Sequence, residues 1–112
     1  MNIVALIGNV ASEPDARTTS AGGRRVCTFR LAVSRPGGEE ADFFTIATWE
    51  RQAEVCEAYL SVGRRVAIEG RLHHGAVCLA ESDSHEIDRT VQVVASRVQL
   101  LGAARPAAAD AS

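Results

Sequence analysis

Lysine is missing from this 112-residue chain, and all 12 of its basic residues are arginine. The arginine fork suits phosphate and stacking contacts better than an ammonium group does; an alanine-rich, arginine-only composition is also what a GC-rich genome produces. Aromatic residues are scarce: one tryptophan, one tyrosine and three phenylalanines. No apolar run reaches the roughly 18 residues of a transmembrane helix. Met1-Asn2-Ile3-Val4 lacks the basic region and long apolar stretch of a secretory signal, so the expected location is the cytoplasm. Cysteine occurs only at positions 27, 56 and 78, an odd number at wide spacing without a Cys-x-x-Cys pair. That excludes a disulfide framework and leaves reduced thiols. There is no glycine-rich phosphate loop, because Gly22-Gly23 and Gly37-Gly38 read as turn glycines. The net charge of −2 and pI near 5.9 argue against an overall basic nucleic-acid binder. Net charge is a weak criterion, however; what matters is whether the cations share a face.

What is present is mostly strand. Residues 2–7 are apolar and β-prone and stop at Gly8-Asn9; residues 11–23 read as loop. Residues 25–33 alternate, with Cys27, Phe29, Leu31 and Val33 on one face and Thr28, Arg30 and Ala32 on the other. Residues 42–49 carry aromatics on both faces: Phe44 lies with Ile46, whereas Phe43 and Trp49 lie with Thr45 and Ala47. A helix is expected over 51–60, with Ala53, Cys56, Tyr59 and Leu60 as its apolar stripe and Gly63 as its stop. Residues 65–73 alternate again, 74–89 read as a protruding loop or hairpin, and 90–101 form a valine-rich last strand. The expected domain spans 1–102, and 103–112 form a short disordered tail. Five strands with one short helix between the third and fourth is the layout of an all-β OB-fold, a small Greek-key barrel.

Several strings, in order, resemble the bacterial single-stranded DNA-binding proteins. They include Leu6-Ile7-Gly8-Asn9-Val10, Glu13-Pro14-Asp15-x-Arg17, Phe29-x-Leu31-Ala32-Val33, Tyr59-Leu60-x-x-Gly63 and Val66-x-Ile68-Glu69-Gly70-Arg71-Leu72. The resemblance implies a homotetramer, a dimer of dimers, that wraps single-stranded DNA without much sequence preference during replication, recombination and repair. It implies no catalysis, no cofactor, no metal and no membrane. A dimer through the first strands is expected.

Binding of that kind needs flat stacking surfaces and cations that follow the phosphates. Phe43 and Trp49 match positions where the family places stacking rings. Phe29 and Phe44 read as core, and Tyr59 as core or subunit packing. The candidate phosphate contacts are Arg17, Arg24, Arg25, Arg30, Arg35, Arg51, Arg64, Arg65 and Arg71; Arg51 matches a basic position in the family. Two aromatics usual in the family have no counterpart here. One is missing from Ser34-Arg35-Pro36-Gly37-Gly38, and the other falls at Val77. His73 and His74 are candidate substitutes, since imidazole can stack and carry charge. The family's acidic, hydrophobic C-terminal tip, its usual route to replication and repair proteins, has no counterpart in Ala109-Asp110-Ala111-Ser112: either the sequence is cut short, which leaves those proteins as candidate partners, or this is a short form, and a complete chain would lack that route.

The losses motivate an alternative, a degenerate OB-fold paralogue acting mainly as a protein-interaction module in replication or recombination complexes. A third class, a metal site or nucleophile built from His73, His74, Cys78 and His85, fits no zinc spacing.

Overall fold

The computed structural model describes residues 1–19, 22–74 and 91–102. Their elements are β1 (Val4–Val10), β2 (Asp15–Thr18), β3 (Arg25–Ser34), β4 (Ala41–Trp49), α1 (Glu50–Tyr59), β5 (Arg65–His74) and β6 (Val91–Leu100). The readings of 75–89 as loop or hairpin, and of 103–112 as a disordered tail, fall outside the described residues.

Alternation in β3, β4 and β5 puts one apolar face inward, and ring closure lets those faces share a core. β1 pairs antiparallel with β5 from Val4↔Gly70 to Asn9↔Arg65, and with β3 at Asn9↔Ala32 and Val10↔Leu31. β3 pairs with β4, β4 runs parallel to β6 at Ile46↔Val93 and Ala47↔Val94, and β6 returns to β5. The result is a closed barrel of β1, β5, β6, β4 and β3, with one helix between β4 and β5. This is the expected OB-fold layout.

Inside lie Leu31, Ile46 and Ile68, at most 1% exposed, together with Val10, Phe29, Val66 and Val93. Each large aliphatic side chain so buried contributes about 1.5–3 kcal/mol. α1 closes one end of the barrel with Ala53 and Cys56, and Leu60 just beyond it packs in too. The one buried polar side chain among the described residues, Thr48, donates its hydroxyl to the Cys27 carbonyl at 2.9 Å, so its burial leaves no orphan.

Three expectations change. β1 does not stop at Gly8-Asn9. Gly8 lies where β1 crosses β3, and a Cβ there would run into the Ala32 carbonyl oxygen, so this glycine permits closure rather than a turn. Residues 15–18, expected as loop, form β2 on the outer edge of β3, with Ala16 against the core. Of the two readings of Tyr59, core or subunit packing, the first is excluded: it is 64% exposed at the end of α1.

A bulge links β5 and β6. Glu69 faces Arg97 and Gly70 faces Ala95, so Ser96 is the extra residue, and its hydroxyl bonds the Glu69 carbonyl at 3.1 Å. A Cβ on Gly70 would meet the Val94 carbonyl oxygen, so only glycine allows this approach.

Candidate nucleic-acid interface

Sheet register decides which side chains share the outer face. Asp15 lies opposite Thr28, Thr28 opposite Ala47, Ala47 opposite Val94, and Val94 opposite Arg71. One row thus crosses five strands. On one side of it is the row Arg17, Val26 and Trp49; on the other, Arg30 lies opposite Thr45 and His73 opposite Gln92. Phe43, opposite Ala32, stands beyond. Phe43 and Trp49 are six residues apart on β4, about 20 Å, too far for one base to touch both.

The two rings are held differently. Phe43 is 54% exposed. Trp49 is half-buried and packs on a second apolar cluster of Val26, Ala47 and Val94. The valines of β6 therefore serve both faces, Val93 inward and Val94 outward. Each ring has an arginine over it: the Arg30 guanidinium carbon is 5.0 Å from the Phe43 centroid, and that of Arg24 is 4.6 Å from the Trp49 centroid. These are cation–π distances.

The other cations divide by partner. Arg17 shares the face but pairs with Asp15 at 3.2 Å. Arg71 is exposed, and among the described residues neither it nor Arg30 has a carboxylate partner. His73 stands on this face, whereas His74, the next residue on β5, belongs to the opposite one.

Besides His74, five candidate arginines lie off this face or far along it. Arg25 follows the inward parity of Cys27 and is bound to Glu57 of α1 at 2.6 Å. That hydrogen bond raises the Arg25 pKa and holds the Glu57 carboxyl below the usual range. Arg35 is held in the β3–β4 turn by Glu40 at 2.7 Å and Asp42 at 2.8 Å. Arg51 is exposed in the first turn of α1. Arg64 reaches the Gly102 carbonyl at 3.5 Å, and its Nε is buried without a partner. Arg65 is exposed six residues before Arg71 on the outward parity of β5, about 20 Å away.

The sequence reading missed the floor beneath Trp49 and the acid beside Arg24. Val26 and Val94 carried a signal, being apolar residues at outward positions of their strands. The contact of Arg24 with Glu50, 26 positions apart, carried none.

The two buried cysteines among the described residues are unreactive. Burial pushes the Cys27 thiol up to about 12 and raises Cys56 as well, so both stay neutral thiols. Among the described residues no group of three or more His, Cys, Asp and Glu side chains could hold a metal ion.

Comparison with known proteins matches residues 1–101 to the single-strand binding protein family. The Single-stranded DNA-binding protein of Treponema pallidum is 37% identical over 99% of this chain, which spans 64% of that protein's length. Single-stranded DNA-binding protein 3 of Clostridium acetobutylicum is 33% identical over 90% of this chain and 71% of its own. Among solved structures, a small single-stranded DNA-binding protein from Streptomyces coelicolor superposes with a TM-score of 0.70 at 24% identity, covering 90% of this chain and 95% of that one. That likeness is one of fold.

Proposed function

The chain belongs to the single-strand binding protein family, and from that premise we propose that it binds single-stranded DNA without regard to sequence on the outer face of β3, β4, β6 and β5. Bases stack on Phe43 and Trp49, and the strand runs between them. Arg30 and Arg71 neutralise phosphates first, being without carboxylate partners among the described residues; Arg17 and Arg24 join by exchanging theirs. His73 adds a polar platform beside Arg71. The observation that carries this reading is the pair of rings on one strand face, each with an arginine across it. Every base has a π-face, so stacking is indifferent to sequence, and each stack contributes about 1–3 kcal/mol.

The same reading has no catalytic step and needs no cofactor. It assigns the protein to the coating of strands exposed in replication, recombination and repair, in the cytoplasm beside the nucleoid. No described helix is long and apolar enough to cross a membrane. It also assigns assembly into a dimer of dimers. Ile3 and Ile7, just before and on β1, are 70% and 51% exposed, beside a groove over β1, β5 and β6 lined by Ala5, Ile7, Ala67, Glu69, Arg97 and Gln99. An apolar strip of that kind favours a second copy. Sedimentation at micromolar concentration reports the assembly; a monomer there overturns it.

Titration with oligo-dT tests the function, because Trp49 is the sole tryptophan. Quenching is expected, with affinity falling as salt rises by about 0.7 log units per log unit of salt for each phosphate neutralised. No quenching and no binding at low salt overturns the reading.

A further inference from the structure

Arg24 makes two contacts at once. Its guanidinium lies over the Trp49 ring, and its Nε donates to Glu50 Oε2 at 2.7 Å. Ring and carboxylate belong to consecutive residues, at the junction where β4 gives way to α1. Glu50 sits at φ 52, the one non-glycine residue at positive φ among those described. L residues other than Asn and Asp rarely adopt that conformation. Val26, Ala47 and Val94 pack against the ring. A base that stacks on the face under Arg24 must displace that guanidinium. Arg30 over Phe43 has no such holder among the described residues.

We propose that Glu50 is an acidic latch: it holds Arg24 across the open face of Trp49 in the DNA-free protein, and an incoming phosphate takes Arg24 from Glu50 and uncovers the ring. The inference rests on the reading of this face as a path for single-stranded DNA. It makes Glu50 a positioning residue that acts through Arg24. Stacking on Trp49 and neutralisation of the nearest phosphate become one event, while Phe43 is available from the start. The displaced carboxylate stays close to the bound strand, so the latch also holds affinity down.

Glu50→Gln tests this, since it removes the charge and keeps the shape and the backbone demand. Glu54→Gln is the control, an equal charge change at an exposed residue of the same helix. In free protein, acrylamide quenching of Trp49 should rise in Glu50→Gln and stay unchanged in Glu54→Gln. With oligo-dT at low salt, Glu50→Gln should bind about threefold to tenfold tighter, with a salt slope steeper by a fraction of the roughly 0.7 that one full phosphate contact supplies. Both gains should vanish in an Arg24→Ala background. The latch is overturned when Glu50→Gln matches Glu54→Gln in quenching and in binding, or when its gain survives without Arg24. Failure of every variant to bind oligo-dT overturns the DNA reading instead, and the quenching comparison then decides the latch by itself.

Discussion

The two ends of β4 present the same chemistry, an aromatic ring under an arginine, on different foundations. Trp49 lies on Val26, Ala47 and Val94, with the buried layer of Cys27, Thr48 and Cys56 behind it. Phe43 faces Ala32 near the turn of the β3–β4 hairpin and keeps more than half its surface in solvent. The arginines differ in the same sense: Arg24 is held by Glu50, whereas Arg30 is held by no described carboxylate. Alternation alone gives the two rings one face. Which ring becomes a fixed platform is decided by what the neighbouring strands place beneath it. A preorganised ring loses less freedom on binding, and a more exposed ring offers more of its surface to a base.

Truncating each ring separates the two roles. Trp49→Ala should cost about 2–4 kcal/mol of folding stability, because it strips the cover from a buried cluster. It should also weaken oligo-dT binding by about 1–3 kcal/mol. Phe43→Ala should lose affinity in the same range with folding stability within about 0.5 kcal/mol of the parent. Thermal melts beside titrations check this, and equal stability losses at the two ends would erase the distinction.

The layer behind Trp49 carries a second effect, at alkaline pH. Cys27 faces Thr48 across β3 and β4, and burial pushes its thiol up to about 12. An unfolded thiol ionises near 8.5. The raised folded value means that stability is fully present below about pH 8.5 and is lost as pH rises toward 12, at a slope of about 1.4 kcal/mol per unit. Denaturant melts from pH 7 to 10 should show that fall, and Cys27→Ala should make it shallower, leaving the part due to Cys56.

How much of this was legible in the sequence depends on the range of the interaction. The period-two strands 25–33, 42–49 and 65–73 and the helix near 51–60 follow from local pattern, and with them the shared face of Phe43 and Trp49. β2 was not legible: Asp15–Thr18 is short and polar, and is strand only because the edge of β3 offers it a ladder. Gly8 reads as a turn until the crossing with Ala32 is known. Tyr59 has helical spacing with Ala53 and Cys56 yet is 64% exposed, while its neighbour Leu60, just past the end of α1, packs into the core. The arginines were the least legible. Whether one is free for phosphate depends on a distant acid, as with Arg25 and Glu57, 32 positions apart.

Charge removal at each ring extends the comparison to salt. Arg30→Ala should lower the slope of log affinity against log salt by about 0.7, the full value for one phosphate contact in a single strand. Arg24→Ala should lower it by less, because part of the Arg24 charge is already answered by Glu50 in the free protein. Equal slope changes would mean that the two ends engage phosphate alike.

The smallest effect belongs to Arg25 and Glu57, on the helix side of the Trp49 end. The Arg25 hydrogen bond depresses the Glu57 carboxyl, so the pair contributes above the unfolded carboxylate value of about 4.3 and is lost as pH falls through the lower folded value. Both groups are solvent-accessible, so the contribution is small and screened by salt. Glu57→Gln should melt slightly below the parent at pH 7, and the gap should narrow as pH falls below the usual carboxylate range and Glu57 takes up its proton. A difference that did not narrow with acid would point to packing rather than charge. Arg25→Ala should leave the salt slope for oligo-dT unchanged, since Arg25 is turned toward α1. A slope lowered as far as in Arg30→Ala would extend the DNA path past Trp49 onto the helix side of the barrel, and the Trp49 platform would then be the middle of the binding face rather than its end.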